Sequence, residues 1–80
     1  MSLKSYSSLP ELSRAIAYFV FRKRETNYEN IRERFGRFDE KLVRGALEEA
    51  TSKDPPFIVF DSKNHNYQPS IHLKRLLSLL

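Results

Sequence analysis

No cysteine occurs in the 80 residues of this chain, which removes disulfides, thiolate zinc sites, iron–sulfur clusters and cysteine nucleophiles together. Glycine is almost as scarce, with two residues, so there is no Gly-rich loop to cradle a phosphate, and no G-x-S-x-G elbow is present. His65 and His72 are the only histidines, and neither has a carboxylate cluster beside it to complete a metal site. These absences predict a protein that is not an enzyme and carries no metal or cofactor. No apolar run approaches the roughly 18 to 20 residues of a membrane span, and Met1-Ser2-Leu3-Lys4 lacks the apolar core of a signal peptide. The expectation is an intracellular setting, in cytoplasm or nucleus, with no membrane partner.

What is present suffices for one small core. Hydrophobic residues make up 40% of the chain and include six Phe and four Tyr, which argues against disorder despite 30% charged residues. A chain of this size hides roughly 60 to 65% of its unfolded surface, and no repeat or linker divides it, so residues 1–80 read as a single domain. Formal charge is +4, a hint of a polyanionic partner. It is unevenly spread: net +4 over residues 1–38, −2 over 39–54 and +2 over 55–80.

Ser8-Leu9-Pro10-Glu11 has the form of a capping box with proline in the first turn. Leu9, Leu12, Ile16, Phe19 and Val20 follow at helical spacing, and Arg22-Lys23-Arg24 suits a helix C-terminus; a first helix is predicted over residues 9–23. Thr26-Asn27-Tyr28-Glu29 repeats the capping pattern, and Tyr28, Ile31 and Phe35 make a narrow stripe ending at Gly36, predicted as a left-handed cap. That places a second helix at 27–35. Asp39 caps a third over 40–52, in which Leu42, Val43, Ala46, Leu47 and Ala50 share one side and Phe38 and Val43 stand at staple spacing. Pro55-Pro56 stops it. Phe57 to Phe60 is β-prone, 61–66 is rich in turn formers, and Tyr67-Gln68 returns as the second strand before Pro69 interrupts the ladder. Leu73, Leu76, Leu77 and Leu80 then mark a last amphipathic helix over 71–80. The fold class expected is mainly α with one small β-hairpin.

The order helix, helix, helix, hairpin, helix, with Ile31 to Phe35, Gly36, Leu42-Val43-Arg44-Gly45-Ala46-Leu47 and a hairpin ending Tyr67-Gln68-Pro69-Ser70, resembles the winged helix-turn-helix superfamily over about residues 9 to 70. The resemblance implies that the third helix enters the major groove and that residues 61–66 form a wing on the backbone or minor groove.

On that footing Lys41 and Arg44, with Arg37 ahead of them, are the candidates for reading guanine edges or phosphates, and Gly45 permits close approach. Glu48 and Glu49 would be repelled by phosphate unless tilted away, and an ordinary solvated helix face is the alternative. Arg22, Lys23 and Arg24, together with Arg32 and Arg34, suit phosphate contact, or else solubility and compensation of the helix dipole. Lys63, Asn64, His65 and Asn66 offer donors at the wing, or make a plain turn. Tyr18 and Phe21 lie off the main stripe of the first helix; with Leu73, Leu76, Leu77 and Leu80 they either cover one another or form a homodimer or protein-partner surface. The function expected is nucleic-acid binding, to double-stranded DNA, in transcription or replication control. The alternative is a protein–protein interaction winged helix within a larger complex.

Overall fold

Leu12, Ile16 and Val20 recur at intervals that only a helix brings to one side, and all three are fully buried. They belong to α1 (Leu9–Lys23), the longest element in the computed structural model of the chain, which describes residues 9–79. The expected Ser8 cap lies outside the described residues, as does the side chain of Leu9. After Lys23 the backbone reverses at Arg24, whose φ of 71° is left-handed, a conformation that costs a non-glycine residue about 1–2 kcal/mol.

The short α2 (Tyr28–Arg34) is capped differently from the expectation. Asn27, not Thr26, is the N-cap, its side chain accepting a hydrogen bond from the backbone N–H of Asn30 at 2.8 Å. Thr26 is instead buried and exchanges two backbone hydrogen bonds with Tyr67, at 3.0 and 2.6 Å. Gly36 also departs from its expected role, because no glycine has positive φ. Phe35 closes α2, and a Cβ on Gly36 would sit 3.3 Å from the carbonyl oxygen of Arg32. Small size, not handedness, is what that turn uses.

Asp39 caps α3 (Glu40–Ser52) as its position predicts. Val43, Ala46, Leu47 and Ala50 are buried on one side of it, and the two alanines let α3 come close to α1, its main packing partner. Ile31 and Phe35 fill the space beside them. Each fully buried aliphatic side chain contributes roughly 1.5–3 kcal/mol.

Strands β1 (Ile58–Asp61) and β2 (Asn66–Pro69) pair antiparallel, from Ile58 opposite Pro69 to Asp61 opposite Asn66. Pro69 thus ends the ladder from within β2, where its missing N–H is tolerated. The strands are tied to the helices at their open end: the N–H of Phe57 donates to the carbonyl of Ala50 at 2.9 Å, and that of Ser70 to the carbonyl of Phe57 at 2.9 Å. The Phe57 ring has the Lys53 ammonium 3.8 Å from its centroid and stacks with the ring of His72.

Ser70 caps α4 (Ile71–Ser78), accepting from the N–H of Leu73 at 3.0 Å while its hydroxyl donates to the carbonyl of Pro56 at 2.6 Å. Among the described residues the architecture is four helices with one two-stranded antiparallel hairpin. No helix among the described residues is long and apolar enough to cross a membrane.

Two buried serines should respond oppositely to substitution. Ser70→Ala removes a cap and orphans a carbonyl, and is expected to cost about 1–3 kcal/mol. Ser13 is 1% exposed and its hydroxyl has no hydrogen-bond partner among the described residues, so Ser13→Ala should stabilise the fold by on the order of 1 kcal/mol. Urea unfolding of both variants checks this; a loss of stability in Ser13→Ala would show that the hydroxyl is satisfied.

Candidate nucleic-acid interface

The Asp39 cap and the buried stripe of α3 determine which side chains are left outward. Lys41, Arg44, Glu48 and Ser52 are exposed, and Gly45 is half-buried among them. Lys41 extends without a carboxylate partner among the described residues, whereas Arg44 does not. Its Nε donates to Glu40 Oε2 at 2.9 Å, the one ion pair among the described residues. Its guanidinium also lies 4.9 Å from the centre of the Tyr28 ring, and the Tyr28 hydroxyl donates to the same carboxylate oxygen at 3.4 Å. The hydrogen bond and charge of Arg44 hold the Glu40 carboxyl below its ordinary range, and Glu40 in turn raises Arg44. Tyr28, Arg44, Leu47, Glu48, Thr51 and Tyr67 line a shallow groove between α2, α3 and the hairpin. Burial raises the pKa of the Tyr67 hydroxyl there, and the nearby Tyr28 adds to the shift.

The tip of the hairpin is built around Asp61. Its carboxylate accepts from Asn64 Nδ2 at 2.8 Å and from the backbone N–H of Lys63 at 3.0 Å, contacts that lower its pKa, the Asn64 side chain most. The Asn64 amide expected to face a ligand is therefore engaged inside the turn. Lys63 remains exposed, while His65 adopts φ 54° and sets its ring edge-on to Phe60. Between the tip and the start of α2 lies a cleft whose lining includes Glu25 and Glu29, and Asn66 Nδ2 donates to Glu25 at 2.6 Å.

Arg22, Lys23 and Arg24 do not form one patch: Lys23 parts from the other two. Arg22 lines a cleft with Arg34 and Arg37. Lys23 lies 5.9 Å from the Phe19 ring centre, in a cleft that includes Glu25 and Glu33. Arg24 meets Lys74 beside Phe21 and Pro69, in a third cleft that Arg22 also lines. Arg37 thus joins the end of α1 and not the outer face of α3. Arg32 donates to the carbonyl of Phe38 at 3.1 Å and serves the turn.

The leucine stripe divides as well. Leu73 is 6% exposed and belongs to the core, so it cannot serve as a partner surface, and Leu77 is half-buried against that core. Leu76 is exposed, and Leu80 lies outside the described residues. Tyr18 is 49% exposed and stacks at 6.4 Å on Phe21, which packs against the core. The most exposed apolar residues of α4 and its end are Ile71 (70%) and Leu79 (83%). Sequence reasoning missed both, although Ile71 stands two residues before the buried Leu73 and so about 200° round the helix from it. It also missed Tyr28 as the platform for Arg44, since the Tyr28 stripe reads as core alone.

Comparison with known proteins finds no matching family model, no matching curated protein and no matching solved structure.

The pairing of Arg44 with Glu40 has a direct spectroscopic consequence. Because the Glu40 pKa is lowered, the pair is intact above the ordinary carboxylate range and is lost as pH falls through the depressed value. Carboxyl-carbon NMR should place the Glu40 midpoint below that of a free glutamate, and Arg44→Ala should return it to the ordinary range. An unchanged midpoint in Arg44→Ala would mean that the pair does not persist in solution.

Proposed function

We propose that this chain is a nucleic-acid-binding module of the winged-helix type, with double-stranded DNA as its ligand, working in transcription or replication control. The observation that supports the reading is unpaired charge. Among the described residues Arg44 alone is held by a carboxylate, so Arg22, Arg24, Arg37, Lys41 and Lys63 keep donors and charge available to phosphate. In this reading Lys41 leads α3 into the major groove, Lys63 touches the backbone from the hairpin, and Arg44 exchanges Glu40 for the nucleic acid. Such a module needs no catalytic group and no cofactor.

A protein-interaction winged helix is the second reading. It is favoured by the net −2 charge over residues 39–54 and by the apolar side chains of Ile71, Leu76 and Leu79 at the surface. A homodimer through α4 is one form of it.

Salt separates the two readings. Under the first, affinity for a mixed-sequence duplex falls linearly with salt on logarithmic axes, and Lys41→Ala and Lys63→Ala each reduce that slope by about 1. Absence of duplex binding at low salt would overturn it. Under the second, a protein complex or dimer withstands high salt in mass measurements and is broken by Leu76→Lys.

A further inference from the structure

The outer side of α1 carries a feature apart from the groove of α3 and the hairpin. Two clefts flank the C-terminal half of this helix and share Arg22. On one side Arg22 meets Arg34 and Arg37 over Tyr18, Phe19 and Phe38; on the other it meets Arg24 and Lys74 beside Phe21 and Pro69. We propose that these two clefts form one continuous track for single-stranded nucleic acid, with phosphates on the five basic side chains and unstacked bases against Tyr18 and its neighbouring rings.

Charge complementarity selects the track from the other concave surfaces. Among the described residues no carboxylate lines either of its clefts. The cleft of Lys23 contains Glu25 and Glu33, the one at the hairpin tip contains Glu25 and Glu29, and the groove of Arg44 contains Glu48. A polyanion meets repulsion at each of those and none here. Five cations gathered without a counter-charge also repel one another, and bound phosphate relieves that repulsion.

Two of the arginines, Arg22 and Arg34, are held by rings and not by acids. Arg22 Nη1 donates to the Tyr18 hydroxyl at 3.2 Å, and its guanidinium lies 5.8 Å from the centre of that ring. Arg34 lies 5.7 Å from the centre of the Phe35 ring. A guanidinium has five N–H donors, so Arg22 spends one on Tyr18 and keeps the rest for a ligand. Cations alternating with partly exposed aromatic rings are what a flexible strand needs, since every base offers a π face whatever its sequence.

The track shares no residue with the groove between α3 and the hairpin, so it stands whether or not α3 engages duplex DNA. The experiment is a fluorescence-anisotropy titration of the full chain with labelled oligo(dT) and oligo(U), against blunt duplex, inorganic polyphosphate and poly-glutamate. Both single strands, or one of them, should bind, and Arg22→Ala and Tyr18→Ala should each weaken binding about tenfold, while Tyr18→Phe retains it and Lys41→Ala leaves it unchanged. Because the chain has no tryptophan, tyrosine emission is directly visible, and its quenching by the strand should shrink in Tyr18→Phe. Circular dichroism of each variant confirms the fold. The proposal is overturned if neither strand binds, if polyphosphate or poly-glutamate binds as tightly as the oligonucleotides, or if folded Arg22→Ala and Tyr18→Ala bind as the parent does.

Discussion

Two backbone hydrogen bonds between Thr26 and Tyr67 hold the hairpin against the turn that joins α1 to α2. A two-stranded hairpin is marginal by itself in water, and these bonds give β2 a partner on both edges. Asn66 adds its contact with Glu25 on the same side. At the open end, the bonds from Phe57 to Ala50 and from Ser70 to Phe57 fix the strands to α3 and α4. The hairpin is thereby clamped at two points by helices that are themselves packed together, and its tip holds a defined position relative to the outer face of α3. Thr26 can reach Tyr67 because the chain turns through the left-handed Arg24, a local cost met by two buried backbone bonds in return.

The electrostatics divide the surface in two. Where α2, α3 and the hairpin meet, charge is compensated internally: Glu40 holds Arg44, Asp61 gathers the donors of its own turn, and Glu25 accepts from Asn66. Around the end of α1, basic side chains rest on aromatic rings and keep their charge. Salt screens both regions over about 10 Å at ordinary ionic strength, so the contrast acts at contact distance and not as a long-range field. The formal charge of the whole molecule says little about which face would meet a polyanion.

Periodicity and capping chemistry carried most of the fold into the sequence. The stripe of Leu12, Ile16 and Val20 and the Asp39 cap are local patterns, and the elements they predict are present. Features that depend on a distant partner were not legible. Thr26 and Asn27 are both good caps, and only the bridge to Tyr67, forty-one residues later, decides between them. Spacing placed Leu73 and Leu76 on one stripe without showing that Leu73 lies in the core and Leu76 is exposed. Arg22, Lys23 and Arg24 are consecutive, and consecutive residues on a helix point about 100° apart. The divergence of Lys23 from Arg22 follows from helix geometry, whereas the meeting of Arg22 with Arg24 needed the reversal past the helix end and its meeting with Arg37 the packing of α1 against the turn after α2.

The clamp at Thr26 leaves β1 as the open edge of the hairpin, since no other strand among the described residues pairs with it. Val59 and Phe60 on that strand are exposed, and an apolar edge with free backbone groups is a template on which further chains can add. The strand is four residues long and ends in Asp61, which leaves such a template little length on which to nucleate. Shortness therefore limits edge-to-edge association here. A relative with a longer hairpin would need lysine, proline or a bulge on this edge to avoid growing into fibres.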